Sequence, residues 1–153
     1  MHQTIKSINK SKLNLLSHHK FCTYSFAILR DIDDSIVEKG IRSVSSNDLI
    51  NIGIARKQHE YLKRKLESIG LEVYQLKSNG HPDSVFIEDT AIIIDNRILF
   101  TCPGAISRRP EVDSIRNFFI NFEKRKLIMT ETLPFGQLDG GDVLFTGSFV
   151  FYL

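Results

Sequence analysis

Three carboxylates stand close together in the segment from Asp83 to Asp89. Four residues, three of them apolar, separate Asp83 from the adjacent pair Glu88 and Asp89. If residues 85–87 are extended, the ends of the segment project these side chains toward one rim. Carboxylates hold a planar guanidinium in bidentate geometry, so the spacing predicts a pocket for an organic cation. Two alternatives stay open, namely a solvated turn at a strand end and an oxygen site for Mg²⁺ or Ca²⁺.

A pair of arginines, Arg108 and Arg109, stands where a helix is expected to begin. The positive end of the helix macrodipole disfavours cations at that place. A local cost of this kind indicates an anion-binding role, such as holding the carboxylate of a substrate. The alternative is that both arginines are ordinary surface residues.

The elements that must position these groups mix strands and helices. Short β-branched and aromatic runs bounded by turn residues predict strands at residues 24–29, 71–76, 91–94, 97–101, 127–130 and 143–146. The 91–94 and 97–101 strands flank Asp95 and Asn96, which predicts a hairpin. This order predicts an α/β fold. No glycine-rich phosphate loop follows a strand, which excludes the common nucleotide-binding motifs.

The first predicted helix is long. It is expected to begin near Asn47, after a run of N-cap residue types, and to end before Gly70, which should have a positive φ. Three-, four- and seven-residue spacings predict a buried face. That face contains Ala55, Leu62, Leu66 and Ile69.

The second predicted helix follows the arginine pair. Ser107 is expected to cap it, with Pro110 in the first turn. Its apolar residues recur at helical spacing and predict a stripe that faces the core. The stripe contains Val112, Ile115, Phe119 and Phe122.

Composition sets the class of protein. The 153 residues carry 20 Lys and Arg against 18 Asp and Glu, a net charge of +2, so non-specific nucleic-acid binding is not favoured. Two cysteines are too few for a disulfide framework or a four-thiolate zinc site. No apolar run reaches the ~20 residues of a membrane span. We expect a cytoplasmic protein that binds neither membrane nor nucleic acid.

Two segments at the ends of the chain differ from the rest. Residues 1–22 contain lysines but no acidic residue, which predicts a flexible basic extension before a single domain at 23–153. A transit peptide is the alternative, although no arginine precedes Arg30. Residues 147–153 predict a hairpin that ends on apolar residues. Open strand edges there would favour self-association unless the last strand docks into the sheet.

Three motifs carry a resemblance to a known family. The sequences PDSVFIEDTAIII, TCPGAISRRPEVD and LDGGDVLFTG, in this order and spacing, resemble the dimethylarginine dimethylaminohydrolases. The resemblance implies the pentein fold of that guanidine-modifying superfamily, a five-bladed α/β propeller of ββαβ units, of which this chain would form about half. It also implies the hydrolysis of Nω-methylated arginines to citrulline and methylamines, which influences nitric oxide production, without a cofactor or metal.

The resemblance assigns a role to individual residues. Asp89 would face the guanidinium, Arg108 would bind the α-carboxylate, and Ile41 would contribute to a lid over the ligand. Asp139, in the DGGDV turn, would orient the catalytic histidine of the family. The substrate-binding set implied in this way is Ile41, Asp83, Glu88, Asp89 and Arg108.

The catalytic residues of the family have no counterpart in this sequence. The family uses a histidine well beyond the DGGDV motif and a cysteine near the end of a chain almost twice as long, whereas this sequence stops at Leu153. Cys102, beside Pro103, does not fit the role of nucleophile. We therefore expect the chain alone to be inactive. Two alternatives are a non-catalytic fragment that binds arginine or pairs with a partner, and a carboxylate-rich cation-binding module.

Overall fold

The structure, a computed structural model, describes residues 24–42, 50–94, 96–122, 128–131, 136–146 and 150–152. The basic extension predicted at residues 1–22 lies outside these ranges, as do the residues predicted to cap the first long helix at 44–48. No helix in the described ranges is both long enough and apolar enough to cross a membrane.

Seven strands in the described ranges form three small sheets. The first sheet pairs two parallel strands, the second has three strands in the order β3-β4-β5, and the third is an antiparallel pair. The strands are β1 Phe26–Arg30, β2 Glu72–Leu76, β3 Ala91–Ile94, β4 Arg97–Phe100, β5 Ile128–Glu131, β6 Val143–Phe145 and β7 Val150–Tyr152. The strand predictions are confirmed within one or two residues at each end, and the α/β class is confirmed.

The helices are α1 Ile36–Lys39, α2 Ile52–Ser68 and α3 Glu111–Ile120. Helix α2 begins later than the predicted start near Asn47, because the Asn51 side chain caps it by accepting a hydrogen bond from the Ile54 N–H at 3.0 Å. The chain leaves α2 through Gly70, whose φ of 91° confirms the predicted left-handed conformation.

The predicted buried face of α2 is only partly correct. Ala55 and Leu66 are half-buried, but Leu62 is 46% exposed and Ile69 is 74% exposed. The inward face instead follows His59 together with Ala55 and Leu66, so it is rotated by about one position from the predicted stripe. Helix α2 therefore covers the first sheet with mixed residues rather than with a leucine stripe.

Helix α3 is the centre of the core. All four predicted stripe residues are buried, and they pack with Ile98 and Phe100 of β4. The Phe122 ring lies 5.3 Å from that of Phe26 on β1 and 5.2 Å from that of Tyr74 on β2. Helix α3 and Phe122, two residues beyond its end, thus join the first two sheets, and the aromatic contacts add to the stabilisation from buried apolar area.

The start of α3 differs from the prediction. Ser107 is exposed and lies in a 3₁₀ turn, Ile106–Arg108, while Pro110 occupies the N-cap position and no side chain caps the helix. Proline has no backbone N–H that would need an acceptor, so it suits this position at the start of a helix. The tight turn places the Arg108 side chain in the interior, where its exposed fraction is 7%.

Strands β3 and β4, helix α3 and strand β5 form one ββαβ unit. Strands β3 and β4 pair antiparallel as the predicted hairpin, and β5 returns after the helix to pair parallel with β4. This arrangement places the loop before β3 and the turn before α3 beside each other, which is where the candidate site lies.

Candidate functional site

The acidic segment is not extended, contrary to the expectation for residues 85–87. Residues 82–85 form a turn, and Ile87–Asp89 forms a 3₁₀ turn. The Thr90 hydroxyl closes the 3₁₀ turn by donating to the Ile87 carbonyl at 2.7 Å. Strand β3 begins only afterwards. The three carboxylates therefore do not share one rim: Asp83 is buried, Asp89 is half-buried and Glu88 is exposed.

Asp83 is a buried carboxylate held by a backbone group. Its exposed fraction is 4%, and both of its oxygens accept from the N–H of Ile41, at 3.0 and 3.2 Å. Within the described ranges no lysine, arginine or histidine lies within ion-pair distance of it. Burial of a carboxylate without a cation is costly, so Asp83 is an acceptor suited to an incoming positive charge.

Arg108 connects the parts of the site. Its Nη1 donates to the Asp89 carboxylate, and its Nη2 donates to the carbonyls of Asp83 and Phe86 at 3.2 and 3.0 Å. Its Nε and Nη2 both donate to Glu111, at 3.2 and 3.0 Å. The guanidinium is thus held mainly by acceptors of this chain.

The charges of this cluster support one another. Burial alone would lower the pKa of Arg108, but the hydrogen bonds and negative charges of Glu111 and Asp89 outweigh it, so the pKa is raised and the guanidinium stays charged. Burial raises the pKa of Glu111, against the opposing effect of Arg108. Arg108 beside it favours the charged form of Glu111 but does not outweigh burial.

The DGGD turn lies directly against the acidic segment. Asp139 accepts from the N–H of Gly104 at 3.2 Å, and the N–H of Gly141 donates to Asp89 at 3.0 Å. A Cβ at Gly140 would lie 2.1 Å from the carbonyl oxygen of Glu88, and one at Gly141 2.5 Å from the Asp89 carboxylate. Gly140 is required because a side chain there would overlap the backbone of Glu88, whereas a side chain at Gly141 would require the Asp89 carboxylate to move.

Three site residues were not predicted from the sequence. Arg30, only 2% exposed, donates from Nη2 to the Ser114 hydroxyl at 2.6 Å, and that hydroxyl donates to the backbone carbonyl of Glu111 at 2.7 Å. Burial lowers the pKa of Arg30, opposed by the charge of Glu111. The i,i+3 spacing from Arg108 to Glu111 could have indicated an ion pair. Nothing in the sequence around Arg30, at the end of an apolar strand, indicates that it is buried in the site.

The cluster around Arg108 combines two cationic side chains, Arg30 and Arg108, with three anionic ones, Asp83, Asp89 and Glu111, so these five side chains carry a net charge of −1 when all are ionised. One further positive charge would neutralise these five side chains. In the described part of the chain no group of three or more histidine, cysteine or acidic side chains is arranged to hold a metal ion.

The structure brings most of the sequence-predicted residues together. Arg108 contacts Asp89 and the backbone of Asp83, while Ile41 is bonded to the Asp83 carboxylate. Asp139 reaches the same region through Gly104, while the Glu88 and Ile41 side chains are exposed. The roles expected for these residues toward a ligand stay predictions.

Comparison with known proteins is consistent with this geometry. No family model matches the chain. The chain is 31% identical over 125 residues to "Putative hydrolase DDAH2" of Bos taurus, covering 80% of this chain and 43% of that protein. It is 30% identical over 114 residues to the N(G),N(G)-dimethylarginine dimethylaminohydrolase of Streptomyces coelicolor, covering 74% of this chain and 43% of that protein. The chain thus spans less than half the length of these curated relatives.

Solved structures show the same relationship. The enzyme DDAH from Pseudomonas aeruginosa, as a mutant complexed with citrulline, matches with a TM-score of 0.75 and 26% identity over 84% of this chain and 50% of that one. A dimethylarginine dimethylaminohydrolase variant in an adduct with S-methyl-L-thiocitrulline matches with a TM-score of 0.75 and 25% identity. In sequence and in fold, the chain belongs to the dimethylarginine dimethylaminohydrolase family and matches about half the length of a member.

Proposed function

We propose that this chain carries the arginine-binding part of a dimethylargininase site. In this proposal Asp83 and Asp89 face the methylated guanidinium, with Glu88 at the rim, and Arg108 binds the α-carboxylate. Charge-assisted hydrogen bonds of this kind are about twice as strong as neutral ones. The reaction of the whole enzyme would be hydrolysis to citrulline and a methylamine.

The observation that carries the proposal is the Asp83 carboxylate. It is buried, and its described partner is a backbone N–H rather than a cation. A monocationic head group would neutralise both this carboxylate and the net −1 of the site. The relatives support the class of ligand, since one solved structure holds citrulline and another S-methyl-L-thiocitrulline.

Ile41 and Asp139 have supporting roles in the proposal. The Ile41 side chain is 56% exposed while its N–H is fixed on Asp83, so the residue would cover a ligand bound to that carboxylate. Asp139 would orient the acid–base histidine of the family. Turnover needs that histidine and a cysteine nucleophile, and we assign neither role to a residue of this sequence.

The fold proposal extends the observed ββαβ unit. We propose that the chain represents about half of a five-bladed propeller and that it is cytoplasmic. The two-stranded first sheet and exposed apolar side chains such as Ile106, 76% exposed, and Leu144, 62% exposed, support self-association of these 153 residues.

Calorimetric titration with Nω,Nω-dimethyl-L-arginine tests the ligand proposal. We expect binding by the chain and a loss of at least about tenfold in affinity for Asp83→Asn, because one charge-assisted contact is worth about 1.5–3 kcal/mol. Asp113→Asn, an exposed position on α3, is the matched control and should bind as the unchanged chain does. Absence of binding at millimolar ligand, or equal affinity of Asp83→Asn, would overturn the proposal.

A further inference from the structure

Glu111 is a buried acidic residue that no role has been assigned to. Its exposed fraction is 1%, it stands in the first turn of α3, and it lies three residues after Arg108. A carboxylate at a helix N-terminus is favoured by the macrodipole, but complete burial needs a further reason. That reason is its contact with the edge of the Arg108 guanidinium formed by Nε and Nη2.

The contact with Glu111 limits the number of N–H groups that Arg108 can offer to other acceptors. A guanidinium has five N–H donors. Nε–H and one N–H of Nη2 donate to Glu111. The other N–H of Nη2 donates to the carbonyls of Asp83 and Phe86, and one N–H of Nη1 donates to Asp89. One N–H of Nη1 is therefore without an acceptor in the described ranges, and the edge best suited to bidentate binding is occupied.

Glu111 is itself fixed from a second side. The Ser114 hydroxyl donates to its backbone carbonyl at 2.7 Å and accepts from Arg30, whose charge acts on the Glu111 carboxylate. Arg30 thus holds the first turn of α3, and Glu111 holds Arg108. The orientation of the Arg108 guanidinium is determined by this chain of contacts rather than by solvent.

We infer that Glu111 is a positioning residue for Arg108. By occupying the Nε–Nη2 edge, it directs Nη1 to the ligand and restricts Arg108 to a single hydrogen bond with a substrate carboxylate. This inference rests on the proposed function for its ligand, but the geometry of the Glu111–Arg108 pair can be tested without one.

The first test measures water exchange of arginine Nε–H groups by NMR. In the unchanged chain the Arg108 Nε–H should exchange at least about tenfold more slowly than the Arg64 Nε–H. Arg64 donates to Glu60 at a similar distance, 3.0 Å, but both side chains of that pair are exposed. Glu111→Gln should remove most of this protection, whereas the matched control Glu60→Gln should leave Arg108 unchanged. If Glu111→Gln does not fold, the comparison of Arg108 with Arg64 in the unchanged chain can still overturn the inference. Equal exchange of the two would overturn the inference.

The second test separates positioning from general stability. Affinity is measured for Nω,Nω-dimethyl-L-arginine and for the analogue that lacks the α-carboxylate. Glu111→Gln should lower the affinity for Nω,Nω-dimethyl-L-arginine by about tenfold and leave the affinity for the analogue unchanged. An equal loss for both ligands would show a merely structural role and would contradict the inference. Absence of binding by the unchanged chain would remove the proposed function, while the exchange measurement would still judge the role of Glu111.

Discussion

The backbone N–H of Ile41 donates to both carboxylate oxygens of Asp83, at 3.0 and 3.2 Å. The two residues are 42 positions apart, and the sequence resemblance places both in the same binding site. Asp83 is buried, and this single amide is its hydrogen-bond donor in the described ranges. A carboxylate held in this way is poorly compensated when ionised.

Asp83→Asn should therefore weaken ligand binding without lowering stability. Loss of a buried charge should leave the free energy of unfolding unchanged or raise it by about 1 kcal/mol, because the amide oxygen still accepts from Ile41. Chemical denaturation measures this change, with Asp113→Asn as the exposed control. A loss of 2 kcal/mol or more would show that the Asp83 charge is structural.

Gly140→Ala should be strongly destabilising. The new Cβ would lie 2.1 Å from the carbonyl oxygen of Glu88, so the DGGD turn and the acidic segment must separate, at a cost of about 1–3 kcal/mol or more. Gly53→Ala in the first turn of α2 is the control, since its nearest neighbour is 3.4 Å away and alanine favours a helix by up to about 1 kcal/mol. Thermal unfolding of both variants measures the contrast, and similar melting temperatures would contradict the observed contact.

Two adjacent residues of α3 should respond differently to truncation. Phe119 is 2% exposed and lies in the core, so Phe119→Ala should cost about 3–5 kcal/mol. Ile120 is 60% exposed, and Ile120→Ala should change stability by no more than about 0.5 kcal/mol. Denaturant unfolding tests both, and a comparable loss for Ile120→Ala would show that this face is covered.

Asp33 should titrate at an unusually low pH. Hydrogen bonds from the Ser35 and Ser78 side chains lower its pKa to about 2. Because the pKa is depressed in the folded state, these bonds contribute stability above the pKa of the unfolded chain, and the contribution is lost as the pH falls toward 2. Ser78→Ala should raise the pKa in a carboxyl-carbon NMR titration, while Ser68→Ala at the end of α2 should not. An unchanged pKa in Ser78→Ala would contradict the contact.

The sequence allowed the strands and the α3 stripe to be predicted, because periodicity reports local faces. Only the family resemblance placed Asp83, Asp89 and Arg108 in one site. It did not reveal that the segment before β3 is a 3₁₀ turn, since apolar residues between carboxylates fit a strand equally well. The buried charges of Arg30 and Glu111 were missed for another reason. Arg30 and its partner Ser114 are 84 positions apart, and only the tertiary fold shows that a polar residue is buried with a partner.

The central claim is that the residues around Asp83 and Arg108 bind the guanidinium and carboxylate of a methylated arginine. Backbone amide NMR during titration with Nω,Nω-dimethyl-L-arginine tests it most directly. The N–H groups of Ile41, Gly104 and Gly141 donate to Asp83, Asp139 and Asp89, so they report on these three carboxylates of the site. We predict saturable shifts that are largest at these three amides. Shifts that are absent at millimolar ligand, or largest on α2, would contradict the account.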